Sequence, residues 1–224
     1  MDTRRQIAAS LRRTRGGVKP SNGRHSPLVN VLTVRHSTVH MKLVVAITGA
    51  SGALYAQRLL DHLHGQEVHL VSSDPAKEVA ALELDGGKLV VAKDVIGYDN
   101  RSMHAPFVSG SARFDAMVVI PCSMGTLGRI ANGTSDDTIC RAADVFLKEH
   151  RKLILVPRET PYNLIHVRNM ERLLEAGADI IPATPSFYGR PQTVQQVVDT
   201  VVARVLDHLG IEHKLAKRWM ETES

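Results

Sequence analysis

The sequence predicts an α/β fold: an open, mostly parallel, Rossmann-like or flavodoxin-like sheet with helices on both faces. Three observations predict it. From Met41 onward, short β-branched runs alternate with amphipathic helical stretches, the pattern of a parallel sheet joined by crossover helices. The first run leads straight into Thr48-Gly49-Ala50-Ser51-Gly52, a small-residue turn that opens a helix. A chain of 224 residues, 43% hydrophobic and 23% charged, fills one well-packed domain and is too short for two of ordinary size.

Taken in order, Lys42–Ile47 reads as a strand buried on both faces, because its apolar run is unbroken rather than alternating. Gly52–His64 is expected as a helix, Val68–Ser72 as the second strand and Ala76–Leu82 as a helix. Met117–Pro121 is the next apolar run, followed by helices over Thr126–Ala131 and Thr138–His150. Leu153–Pro157 is a further strand, and helices over Leu164–Ala176 and Thr193–Leu209 flank a short strand at Asp179–Ile181. Right-handed crossovers complete the topology.

The segment 1–40 is expected to be a separate tail before a domain over 41–224. It holds eight Lys and Arg against one acid and sustains no apolar face beyond two turns. Its composition fits a mitochondrial presequence, and Met41 directly before the first strand fits an over-long start equally well. The rest of the chain carries twenty bases and twenty-two acids, so the pI of 9.4 comes from the tail and no nucleic-acid partner is expected. No apolar run reaches the eighteen or so residues of a membrane span. Two cysteines are too few for a disulfide framework, and a reducing, cytoplasmic setting is expected, or a mitochondrial one if the tail is a presequence.

The Thr48–Gly52 turn lets a phosphate approach the backbone N–H groups at a helix start. A dehydrogenase reading of the same turn requires a third glycine near position 55 and a Tyr-x-x-x-Lys pair. Tyr55 stands there instead, and none of the four tyrosines has a lysine four residues on. A second small-residue turn, Pro121-Cys122-Ser123-Met124-Gly125-Thr126, follows another strand, so both turns can face one crevice at the carboxyl ends of strands. Cys122 itself reads as a small packing residue.

Arg141 and Lys148, seven apart, lie on one helix face and suit a phosphate; pairing with Asp144 is the plainer alternative. Arg158 and Glu159 stand at a strand's carboxyl end, which makes Glu159 a candidate proton carrier and Arg158 a candidate phosphate or flavin contact. Phe187-Tyr188-Gly189-Arg190-Pro191 forms a rigid turn, and Arg204 follows in the last helix. The eleven histidines are scattered, without ligand spacing, and no metal site is expected.

Six stretches together resemble the flavin prenyltransferase (UbiX) family in order and spacing. They are Thr-Gly-Ala-Ser-Gly at 48–52, Ser-Gly-Ser at 109–111, Pro-Cys-Ser-x-Gly-Thr at 121–126, Arg-Ala-Ala-Asp-Val-x-Leu-Lys at 141–148, Val-Pro-Arg-Glu-Thr-Pro at 156–161 and Phe-Tyr-x-Arg-Pro-Gln at 187–192. The resemblance covers roughly 41–219. It implies metal-independent transfer of a dimethylallyl group from dimethylallyl phosphate to N5 and C6 of reduced FMN. The product, prenylated FMN, would serve a UbiD-type decarboxylase, in ubiquinone synthesis or aromatic acid degradation alike.

Carried over by position, Gly49, Ala50, Ser51, Ser73, Ser123, Met124, Gly125, Thr126 and Arg158 would hold FMN. Lys148, Tyr188 and Arg204 would hold the prenyl phosphate, with Arg141 nearby. Glu159 and Ser51 would carry the proton, and Glu83 matches a family acid near the active site. Trp219 matches a family tryptophan at a subunit contact, and the family implies a homo-oligomer, a dodecamer, with sites at subunit boundaries. The sequence departs from the family at Asp74-Pro75, where relatives often have lysine and alanine after the FMN-binding serine.

Two other readings share part of this pattern. A flavin-dependent cysteine decarboxylase on the same fold calls for a catalytic histidine after the first strand and a Pro-x-Met-Asn segment, and residues 105–111 show no such segment. A non-catalytic flavin carrier would keep the two turns without needing Lys148 or Glu159.

Overall fold

The computed structural model describes residues 40–216. The expected tail, except His40, and Trp219 lie outside these residues. In chain order the elements are β1 (Lys42–Ile47), α1 (Ala53–Leu60), β2 (Glu67–Ser72), α2 (Asp74–Glu83), β3 (Ile96–Asp99), β4 (Ala116–Cys122), α3 (Met124–Ala131), α4 (Thr138–Lys148), β5 (Lys152–Pro157), α5 (Leu164–Glu175), β6 (Asp179–Ile180) and α6 (Val194–Leu209). The strands form one sheet in the order β3-β2-β1-β4-β5-β6, and every neighbouring pair is parallel. The expected α/β sheet is therefore present, and it is entirely parallel.

Alternation along the strands divides the core into two layers. Val44 and Ala46 of β1, Met117 and Val119 of β4 and Leu153 and Leu155 of β5 point to one face, where they pack with residues of α3, α4 and α5. Leu43, Val45 and Ile47, with Val118, Ile120, Ile154 and Val156, point to the other, against α1 and α6. Each fully buried Val, Leu or Ile contributes about 1.5–3 kcal/mol relative to exposure.

Helix α6 earns its place through Val198, Val201, Val202, Val205, Leu206 and Leu209, a repeat at three and four residues that presents one apolar stripe. Thr193 caps its start, and Gly210, at φ 73°, ends it in the left-handed conformation. The Arg58 guanidinium of α1 grips Asp199 of α6 with two hydrogen bonds of 2.8 and 3.0 Å, which fixes how the two helices meet. A charge at Val202 would break this layer.

Sequence periodicity did not anticipate β3. Its four residues, Ile96-Gly97-Tyr98-Asp99, are too few to display an alternation, and the strand lies at an exposed edge of the sheet. It is secured by side chains: Tyr98 meets His69 through a 2.8 Å hydrogen bond and packs edge-on against Phe107.

The chain runs outward from β1 to β2 and β3, then returns to the opposite side of β1 with β4. The order therefore reverses between β1 and β4, and a crevice opens at their carboxyl ends. No helix among the described residues is long and apolar enough to cross a membrane.

Candidate active site

The two small-residue turns meet at this reversal. Thr48, buried at the end of β1, donates its hydroxyl to the Pro121 carbonyl at 2.9 Å and accepts the Ser123 N–H at 2.7 Å. Its own N–H also reaches the Pro121 carbonyl, at 3.2 Å. The pairing register of β4 with β5 shifts between Val119 and Cys122. Arg158, just past β5, ties in as the third element: its N–H bonds the Cys122 carbonyl at 3.3 Å and its Nε bonds the Ser51 carbonyl at 3.0 Å.

Two helix starts face the crevice. Ser123 caps α3, its hydroxyl accepting from the Thr126 N–H at 3.3 Å and donating to the Thr126 hydroxyl at 3.1 Å. Ser73 caps α2 by accepting the Ala76 N–H at 3.2 Å. Between them lies a cavity of about 460 Å³ lined by Gly49, Ser73, Asp74, Asn100, Ser123 and Thr126, among others. A Cβ on Gly49 would come within 2.4 Å of the Pro75 Cβ, so only glycine lets the first turn lie against the start of α2. A Cβ on Gly125 would meet nothing within 4 Å, leaving its backbone open.

The start of α1 is occupied differently. Glu83, at the end of α2, accepts the N–H groups of Gly52 at 2.7 Å and Ala53 at 2.8 Å, so a carboxylate already caps the helix. Partial burial opposes its charge, but the Ser51 hydroxyl, these two N–H groups and the nearby Arg158 outweigh it and hold the carboxyl below its usual range. Ser51 and Glu83 are thus one unit. Tyr55 lies beneath Gly52, and burial raises its phenol despite Arg158.

Of the expected flavin contacts, Gly49, Ala50, Ser51, Ser73, Ser123 and Arg158 come from the turns at the carboxyl ends of β1, β2, β4 and β5, and Met124, Gly125 and Thr126 from the first turn of α3. Ala50 and Met124 bury their side chains in the protein, so they offer backbone alone. Glu159 follows Arg158 on the exposed rim, where its carboxylate accepts the Thr160 N–H at 2.9 Å. Cys122 is buried, and desolvation pushes its thiol up to about 12, the behaviour of a packing residue.

Arg141 and Lys148 sit elsewhere. Helix α4 starts at the carboxyl edge, where the Thr138 N–H bonds the Asn100 carbonyl at 2.8 Å, and ends beside the beginning of β5. It carries Lys148 to the opposite edge of the sheet from Ser51 and Glu159. The two cations do face one partner, the loop holding Ser109-Gly110-Ser111: Arg141 Nε reaches the Val108 carbonyl at 3.3 Å, and a Cβ on Gly110 would lie 2.9 Å from Lys148 Nζ. Arg141 also pairs with Asp144 at 2.8 Å and Lys148 with Glu149 at 2.5 Å. One chain by itself does not bring Lys148 to Glu159.

Tyr188 and Arg204 form a third locus. Tyr188 is exposed and lines a cavity of about 250 Å³ with Gln196 and Thr200 of α6. Arg204 lies one turn beyond Thr200 and pairs with Asp207 at 3.2 Å.

Sequence reasoning missed three features of the cleft. Arg129 of α3 bonds Asp136 at 2.8 Å and Asp137 at 2.7 Å, Asp137 caps α4, and Asn100 enters from the turn after β3. No local pattern joins residues so far apart. Among the described residues, Asp136, Asp137 and Cys140 alone place three metal-capable atoms within 4.8 Å of one another, and both carboxylates are already paired with the one guanidinium of Arg129.

The family model described as Flavoprotein matches residues 32–206. A flavin prenyltransferase UbiX of Methanocaldococcus jannaschii is 49% identical over 181 residues, covering 80% of this chain and 98% of that protein. The crystal structure of AnUbiX (PadA1) in complex with FMN and dimethylallyl pyrophosphate superposes with a TM-score of 0.77 at 39% identity, over 83% of this chain and all of that one. A dodecameric FMN-dependent UbiX-like decarboxylase from Escherichia coli O157:H7 gives 0.75 at 45% identity, over 81% of this chain and all of that one. The peptidyl-cysteine decarboxylase EpiD, at 21% identity and 0.50 over 66% of this chain and 83% of its own, shares the fold alone.

Proposed function

This chain belongs to the flavin prenyltransferase (UbiX) family of flavoproteins, and we propose that it transfers a dimethylallyl group from dimethylallyl phosphate to reduced FMN. The observation that carries the proposal is the junction at the sheet's reversal, where the turns after β1 and β4 are bonded through Thr48 and Arg158 bridges both. Backbone N–H groups, hydroxyls and a 460 Å³ cavity suit a phosphorylated flavin. The relative with FMN and dimethylallyl pyrophosphate bound supports the same pair of substrates, with the phosphate or the pyrophosphate as donor.

The flavin would supply the nucleophilic N5 and C6. The C–N bond at N5 replaces the dimethylallyl C–O bond, and the C–C bond at C6 replaces the dimethylallyl double bond, whose other carbon takes a proton while N5 and C6 each lose one, so that a fourth ring closes. The protein's part begins at the leaving group. As the dimethylallyl C–O bond breaks, Lys148 and Arg141 stabilise the charge gathering on the departing phosphate, and Tyr188 and Arg204 orient it. Glu159 supplies or accepts the proton, and Ser51, hydrogen-bonded to the ionised Glu83, relays it. Arg158 holds the Ser51 carbonyl and so keeps the relay in place.

Because Lys148 and Glu159 stand at opposite edges of one sheet, this chemistry calls for a homo-oligomer in which one copy's α4 completes another copy's turn cluster. The dodecameric relative supports such an assembly, and a dodecamer is proposed here. The product would pass to a UbiD-type decarboxylase, and the cytoplasm is the setting we propose.

Extracted flavin that gains one five-carbon unit after incubation with both substrates supports this function, and unchanged flavin contradicts it. Carbon dioxide release from a cysteinyl peptide tests the decarboxylase alternative, and none is expected.

A further inference from the structure

Charge is unevenly distributed along the wall of the 460 Å³ cleft. On its α3 side Arg129 and Asp137 line the cleft, and Asp136, just outside the lining, shares the same guanidinium, so two carboxylates face one cation. On its α2 side the balance is reversed: Asp74, which lines the cleft, is paired with Lys77 at 2.9 Å and with Arg101. Among the described residues that line this cleft or pair directly with its lining, the Asp74 cluster alone carries surplus positive charge. An incoming dianion is repelled by the first cluster and attracted by the second.

Arg101 is presented from a braced loop. Its N–H bonds the Asp99 carboxylate at 3.0 Å. The preceding residue, Asn100, accepts the N–H groups of Thr138 at 2.8 Å and Ile139 at 3.0 Å, which fastens the loop to the start of α4. From there the Arg101 side chain crosses to Asp74, joining the β3 side of the cleft to the α2 side beside Ser73. Asp74 therefore aims a cation that would otherwise sample solvent, since the Arg101 side chain is 76% exposed.

We propose that Arg101, aimed by Asp74, distinguishes phosphorylated from unphosphorylated flavin by meeting the phosphate of FMN on the α2 side of the cleft. The inference rests on the flavin reading of the site. A guanidinium offers a phosphate two parallel donors, and a phosphate dianion competes well against a single carboxylate for them. The uncharged ring and ribityl chain, common to FMN and riboflavin, have no comparable use for this surplus charge.

The test is titration of the full-length chain with oxidised FMN and with riboflavin, followed by flavin fluorescence, in wild type, Arg101→Ala and Arg101→Lys. Arg101→Ala is expected to weaken FMN roughly tenfold or more while riboflavin affinity stays within about twofold. Arg101→Lys should recover part of the preference, and added salt should narrow it in the wild type. Equal losses for both flavins, or no loss for either, would overturn the assignment while leaving the flavin reading intact. A wild type that binds neither flavin would remove both.

Discussion

The Thr48 hydroxyl accepts the backbone N–H of Ser123 at 2.7 Å while donating to the Pro121 carbonyl at 2.9 Å, so one side chain fastens the turn after β1 to the turn after β4. Both walls of the cleft at the sheet's reversal depend on that contact. Thr48→Val keeps the shape and removes both bonds, leaving the Ser123 N–H without this acceptor. The expected loss is about 1–3 kcal/mol, at roughly 2–4 °C in melting temperature per kcal/mol for a chain of this size. Thr48→Ser should retain most of it. Calorimetry on the three proteins checks this, and a valine variant melting with the wild type would contradict it.

Gly110 offers a way to disturb the cation cluster without touching the cleft proposed for the flavin. A Cβ there would come 2.1 Å from the Glu149 carboxylate and 2.9 Å from Lys148 Nζ. Both are ends of flexible side chains and can move aside, so Gly110→Ala is expected to fold normally and bind FMN as before. Displacing Lys148 should lower prenyl transfer by about tenfold or more, since a shift of an ångström at such a group has large kinetic consequences. Melting, FMN titration and turnover on one preparation separate these effects.

Glu159→Gln and Lys148→Ala should each keep FMN, because the turns proposed to hold it are untouched, and lose transfer by about 10²–10⁴-fold. The placement of the two residues at opposite edges of the sheet adds a sharper expectation. Oligomers assembled from a mixture of the two inactive variants should regain part of the wild-type rate, because some boundaries then carry an intact Lys148 and an intact Glu159. Mixed assemblies as inactive as their parents would contradict a shared site.

Glu83 gives a pH prediction with a definite sign. Its carboxyl is held below the ordinary range by Ser51, Gly52 and Ala53 despite partial burial, so its contribution to stability is present above the unfolded-state value and disappears as pH falls through the lower folded-state value. Glu83→Gln should therefore melt below the wild type near neutral pH, with the gap narrowing as pH falls below the ordinary carboxylate range. A gap that stays constant down to acid pH would mean that the charge is not what caps α1.

Much of this architecture could be read from the residues. Unbroken apolar runs such as Leu43–Ile47 and Leu153–Val156 signal strands covered on both faces, and the alternation they conceal divides the core into its two layers. The turns at 48–52 and 121–126 announce themselves by small residues after a strand. What could not be read is what depends on topology. The edge strand β3 is too short for a period, and its Tyr98 finds its partner in His69, 29 residues away in sequence. Arg141 and Lys148, seven apart, read as one helix face, but nothing local says that α4 ends at the sheet edge opposite its own chain's cleft. Glu83 has the same character: its two N–H partners lie 31 and 30 residues back, at the start of another helix.

The most direct measurement is anaerobic incubation of the purified chain with reduced FMN and dimethylallyl phosphate, followed by mass analysis of the extracted flavin. The account predicts a flavin heavier by one dimethylallyl unit, formed by the wild type and absent with Glu159→Gln. Recovery of FMN at its original mass from a wild type that binds it would contradict prenyl transfer as the function of this site.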